Sequence, residues 1–237
     1  MIRNLLIIVG FLTSGVFAAE NERAVQFRVV CFEMARGDRD VIASGEPSGV
    51  SPVEFTLGRR LDTTLHRVVT TKGQIWIGHL GADANGESVI DPVAVAKLPG
   101  KGSQFLLMLV PSGKETGLSY HCLVLADDRK SFPPGGYRFV NFSPSKLRFM
   151  LQKQPIQLNP GDEEVVGKIE GTRDDGRFPY VAQYFSDEAW NRLSTGYWYA
   201  HPKIRSLQVV YVNPKTNRIA LKGYDDKLFM RSAPVVR

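Results

Sequence analysis

Short segments in which apolar and polar residues alternate at a period of two fill most of the chain, and helical spacing is nearly absent. The alternation predicts strands over 25–33, 53–57, 67–71, 74–80, 104–110 and 119–126, then over 137–142, 147–152, 164–169, 180–185, 205–212 and 219–224. Each is rich in Val, Ile, Leu, Phe or Tyr and bounded by Gly, Pro, Asn or Asp, the residues that turns demand. Strands at such spacing without intervening helices indicate antiparallel β-sandwich units, an all-β fold. The run Pro133-Pro134-Gly135-Gly136 continues neither a helix nor a central strand, and places a boundary there. We therefore expect two sandwich-like domains, 24–130 and 134–225, and a tail over 226–237. No convincing internal repeat is visible, although the two strand sets are similar in length.

One short helix is expected near 187–193. Ser186 can cap it, Asp187 and Glu188 suit its positive N-terminus, and Gly196 lies beyond its end. Asn213-Pro214-Lys215-Thr216-Asn217 and Asn159-Pro160-Gly161-Asp162 read as turns.

Composition sets the class and compartment. The 237 residues are 43% hydrophobic and 23% charged, within the globular range, so disordered and fibrous classes are excluded. Met1-Ile2-Arg3, the apolar run Leu5 to Phe17 and Val16-Phe17-Ala18 make a signal peptide over 1–18. The run is shorter than the ~20 apolar residues that span a bilayer, and no transmembrane segment is expected elsewhere. The expected location is periplasmic or extracellular.

A resemblance agrees with this placement. Residues Phe132-Pro133-Pro134-Gly135-Gly136-Tyr137-Arg138-Phe139-Val140-Asn141-Phe142-Ser143 precede a Leu-Arg-Phe strand and then Leu158-Asn159-Pro160-Gly161. Trp190, Ser194-Thr195-Gly196-Tyr197-Trp198 and Arg205-Ser206-Leu207-Gln208-Val209-Val210 follow. Over about residues 103–225 the chain resembles an uncharacterised group of secreted β-sandwich proteins of Verrucomicrobia-type bacteria. The resemblance implies export and a sandwich, and brings no catalytic residues with it.

Charge narrows the partners. Residues 20–130 hold 13 basic and 14 acidic side chains, whereas 131–237 hold 16 and 10. A basic second half is most simply a solvated charged face, and could also meet an anionic polymer by long-range attraction. Arg138 and Arg148, then Arg218 and Lys222, alternate with apolar neighbours, and if those strands share a sheet these side chains stand on its outer face. Nucleic acid is a poor partner for an exported protein, and no signature for it occurs.

Cys31 and Cys122 each share a strand face with core residues. They are compatible with a disulfide across two sheets, or with two buried thiols.

Catalytic and cofactor motifs are absent. No serine lies in a G-x-S-x-G elbow, and Ser112-Gly113-Lys114-Glu115 fails as a phosphate loop. His66, His79, His121 and His201 are isolated, so no metal or cofactor is expected. Asp83-Ala84-Asn85-Gly86-Glu87 has a fragment of a calcium-loop pattern but reads more simply as a turn. Arg36-Gly37-Asp38, a tripeptide of adhesion ligands, reads as a polar connection.

The most suggestive cluster is aromatic. In an extended strand Tyr197, Tyr199 and His201 share one face and Trp198 takes the other, with Arg205 nearby. Large aromatics ordinarily fill a sandwich core, whereas exposed ones stack on sugar rings. The functional expectation is a non-catalytic exported protein that binds an envelope polysaccharide or anionic polymer through these residues. A protein–protein scaffold and an enzyme whose site assembles from distant loops are the alternatives.

Overall fold

The computed structural model describes residues 22–34, 39–61, 64–112, 117–213 and 216–227. The expected signal peptide, Arg36-Gly37-Asp38 and the residues after Lys227 lie outside the described residues. Within them the chain is all-β, with sixteen strands and no helix.

The first eight strands are β1 (Arg23–Cys31), β2 (Asp40–Ser44), β3 (Val53–Thr56), β4 (His66–Thr70), β5 (Gln74–Ala82), β6 (Ser88–Lys97), β7 (Gln104–Pro111) and β8 (Tyr120–Ala126). They form two sheets, ordered β4-β1-β7-β8 and β3-β2-β5-β6. Next come β9 (Tyr137–Asn141), β10 (Leu147–Leu151), β11 (Gln154–Leu158), β12 (Glu163–Val166), β13 (Arg177–Ser186), β14 (Ala189–Tyr199), β15 (Arg205–Asn213) and β16 (Arg218–Asp226). Their sheets are ordered β12-β9-β15-β16 and β11-β10-β13-β14.

The second pair of sheets repeats the first, strand for strand, eight strands later. Even the parallel pairing of β1 with β7 recurs as β9 with β15. In register, Arg28 pairs with Leu106 and Arg138 with Leu207. Phe27-Arg28-Val29-Val30-Cys31-Phe32 thus matches Tyr137-Arg138-Phe139-Val140-Asn141-Phe142, only three identities in six. Similar apolarity at matching positions is enough to rebuild the fold, so the duplication escapes a search for repeated residues.

Three apolar layers alternate with the four sheets. Phe27, Ile75, Ile77, Phe105 and Leu107 fill the first sandwich. Phe139, Leu147, Phe149, Phe178 and Val210 fill the second. Between them Val30, Leu106 and Met108 of sheet β4-β1-β7-β8 meet Val140, Leu207 and Val209 of sheet β12-β9-β15-β16. Both of these inner sheets are therefore covered on both faces.

A buried ion quartet sits in this middle layer. The Arg28 guanidinium donates to Asp127 (Nε–Oδ2 and Nη2–Oδ1, both 2.8 Å) and to Asp226 (Nη1–Oδ1 2.9 Å, Nη2–Oδ2 2.8 Å). Arg205 donates to Asp226 through Nε at 2.8 Å and through Nη2, and to Asp127 Oδ1 at 2.8 Å. Its Nη1 also donates to the carbonyls of Asp127 and Phe132. Two cations and two anions cancel, and all four side chains are fully buried. Burial alone would lower the Arg28 pKa, but its bonds to Asp226 and Asp127 outweigh that and hold it above its ordinary value.

Three expectations are corrected, and of the two readings of the cysteines the free thiols hold. The 187–193 helix is a β-hairpin: Ser186 pairs with Ala189 around Asp187 and Glu188, both at positive φ (52° and 60°). Two such residues make the tight turn that strand twist prefers, and pairing with β13 overrides the capping signals. Cys31 and Cys122 lie in one sheet, not across two, and both pair with Leu109 from opposite sides. With β7 between them they stand two strand spacings apart, roughly 9–10 Å, beyond the ~7 Å a disulfide spans. Their thiols are free. Arg138 and Arg148 occupy different sheets, and Arg138 is buried under the middle layer, its guanidinium 4.7 Å from the Phe132 ring centroid. Lastly, the alternation pattern misses β2, and it misses β6 and β11, which carry Pro92 and Pro155 and are sheet edges, where a missing N–H costs nothing.

Candidate functional site

The aromatic cluster lies on β14, the edge strand of sheet β11-β10-β13-β14, and alternation along that strand divides it. Trp198 points inward. Its ring stacks on Tyr180 (centroids 3.7 Å apart, planes 11° apart) and packs against Tyr137, Phe139 and Phe178. Tyr197 and Tyr199 point outward and are 55% and 54% exposed. Of the expected binding residues, Trp198 is thus half-buried against the core and turned away from the face that Tyr197 and Tyr199 share.

Arg205 is likewise removed from the surface, being the fully buried cation of the quartet described above. His201 is half-buried after the strand ends. Its Nδ1 accepts the Lys203 N–H at 3.1 Å, and its ring centroid is 6.2 Å from that of Tyr199.

Two residues that sequence reading missed complete the surface. The Arg173 guanidinium lies 4.7 Å from the Tyr197 ring centroid and donates from Nη2 to the Tyr197 hydroxyl at 3.1 Å. Arg177 faces Tyr199 across the β13–β14 pair, and its Nε donates to Asp175 at 2.5 Å. A backbone N–H bond from Arg177, and then that side-chain contact, hold the Asp175 carboxyl below its ordinary value. Arg173 and Arg177 flank a loop whose Gly176, at φ 78°, comes within 2.9 Å of the Tyr199 ring at its ideal Cβ position. Only glycine fits that approach. Pro179 opposes Tyr197 in the same pair and gives it a flat neighbour.

The same outer sheet face carries Met150 and Phe185, each more than a third exposed. Trp190 packs edge-on against Phe185 and receives the Arg148 guanidinium at 4.5 Å. Arginine held over an aromatic ring keeps both groups in place without removing them from solvent. The face therefore offers pre-ordered aromatic surface with cations at its margins, suited to stacking and hydrogen bonding.

Among the described residues, no three His, Cys, Asp or Glu side chains gather as metal ligands. Asp83 to Glu87 forms the hairpin turn between β5 and β6. Asp83 Oδ1 accepts the N–H groups of Asn85 and Glu87, and Gly86 takes φ 80°. No described helix is long and apolar enough to cross a membrane. Compared with known families and with characterised proteins, the chain matches no family model and no characterised protein.

Proposed function

We propose that this is an exported, non-catalytic binding protein whose ligand is a polysaccharide, held on the outer face of β14. The observation that carries the reading is the pair Tyr197 and Tyr199, both more than half exposed on one face of a strand whose intervening residue packs inward against the core. Residues two apart on a strand stand roughly 6–7 Å apart, which lets neighbouring rings engage one extended ligand. Tyrosine suits this use because it offers apolar ring area with little rotamer entropy to lose, and a hydroxyl for polar partners. Arg173 and Arg177 add donors for hydroxyl or acidic substituents.

The test is retention of the mature chain on insoluble polysaccharides and peptidoglycan, at low and high salt, beside Tyr197→Ala/Tyr199→Ala. Retention should fall at least tenfold in the variant. It should persist at high salt in the parent, because stacking is not screened. Equal retention by the variant, or retention on nothing in the panel, overturns the reading.

A further inference from the structure

A second surface, remote from β13 and β14, gathers charge at the seam between the two halves. The loop after β3 contributes Arg59 and Arg60 from the first half. Strand β16 and the residue after it contribute Lys222, Tyr224, Asp225 and Lys227 from the second, around a cavity of about 500 Å³. The backbone holds the loop there, since the Cys31 N–H donates to the Gly58 carbonyl at 2.8 Å.

The cations in this cavity outnumber the anions. Arg59, Arg60 and Lys227 are exposed and have no ion-pair partner among the described residues. Lys222 is half-buried; its Nζ donates to the Phe32 carbonyl at 3.0 Å and sits over the rings of Phe32 and Tyr224. Burial first, and then the charge of Arg59, lower the Lys222 pKa, so the two cations already repel. The one carboxylate in the lining, Asp225, accepts a hydrogen bond from Ser206 at 3.3 Å. Beneath them the Tyr224 hydroxyl is buried without a hydrogen-bond partner.

The duplicated architecture sets this charge apart. Lys222 pairs with Val209 as Leu123 pairs with Met108, so the counterpart of Lys222 in the first half is an apolar residue of the middle layer. One copy of the unit has a cation where the other has leucine. Concave sites at junctions between units are where ligands settle, and arginine forks fit oxyanions with paired N–H groups.

We propose that the seam cavity of Arg59, Arg60, Lys222 and Lys227 binds a tetrahedral oxyanion, the phosphate or sulfate group of a larger ligand. Four cations against Asp225 in the lining and Glu33, whose charge also acts on Lys222, leave an excess of two, which a phosphate monoester meets with two charges and a carboxylate with one. The proposal is independent of the tyrosine face, so either can fail alone.

Thermal unfolding of the full mature chain at constant ionic strength tests it, with inorganic phosphate, sulfate, acetate or chloride. Phosphate or sulfate at ten times its Kd should raise the melting temperature by about 3–5 °C. Whichever of the two gives the larger shift identifies the group. Arg59→Gln/Arg60→Gln should keep the parent's melting temperature in chloride and lose the shift. Asp225→Asn should tighten phosphate binding several-fold. Acetate matching phosphate, a shift retained in the double variant, or weaker binding in Asp225→Asn overturns the proposal.

Discussion

Arg28 and Asp226 stand 198 residues apart in the chain and meet through two hydrogen bonds, of 2.9 and 2.8 Å, with neither side chain exposed. One belongs to the first strand of the first half and the other to the last strand of the second. Together with Asp127 and Arg205 they make the seam a specific junction as well as an apolar one. A buried ion pair contributes little beyond what good apolar packing would, yet it penalises any mismatch.

That asymmetry gives the first prediction. Asp226→Asn leaves Arg28 and Arg205 short of charge inside the seam, and should cost about 3–5 kcal/mol in chemical denaturation. Replacing the four together, as Arg28→Met/Arg205→Met/Asp127→Leu/Asp226→Leu, should recover most of that loss. A single variant as stable as the parent would show that the quartet carries no constraint.

Two neighbouring residues should behave in opposite ways. Trp198→Ala removes the ring stacked on Tyr180 and should destabilise by about 3–5 kcal/mol. Tyr199→Ala, on the exposed side of the same strand, should stay within about 0.5 kcal/mol. Denaturant midpoints measure both, and similar losses would refute the inward–outward division of β14.

Alkaline pH should weaken the second sandwich. Burial is the main cause that raises the Tyr137 phenol from its ordinary value of 10.0 to about 12, while its hydroxyl donates to the Tyr199 carbonyl at 2.9 Å. Between those values the unfolded chain has released this proton and the folded chain keeps it. The unfolded state then binds fewer protons, so stability is intact below about pH 10 and falls as pH rises towards 12. Urea midpoints across that window, compared with Tyr137→Phe, measure the effect. The variant should lose part of the slope.

The turn between β13 and β14 can be improved. Asp187 and Glu188 hold positive φ, which non-glycine residues adopt at a cost of about 1–2 kcal/mol each. Substituting Asn-Gly for the pair should raise stability by about 1 kcal/mol, read as a higher melting temperature. If these residues formed a helix start, the same change would lower it.

What could be read in the sequence and what could not follow from the range of each signal. Alternation is local, so it located most strands and placed Trp198 on the face opposite Tyr197 and Tyr199. It could not say which face is inside, because that depends on Tyr180 and Tyr137 arriving from other strands. Arg205 reads as a surface cation by type. It is buried because Asp127 and Asp226 come to it from 78 and 21 residues away. Arg173 lies in a polar loop and has no local signal at all, and only the fold brings it over Tyr197.

The parallel pairs of the inner sheets have a consequence in time. Gln26 pairs with Gln104, and Tyr137 with Ser206, so the central ladder of each inner sheet joins the first strand of its half to the seventh. A chain synthesised only through β6 holds all four strands of the sheet β3-β2-β5-β6, but the neighbouring sheet still lacks β7 and β8. Each half must therefore wait, partly assembled and with one apolar sheet face open, until nearly its whole length has emerged. Such long-range pairing folds slowly, and the wait occurs twice in every molecule made.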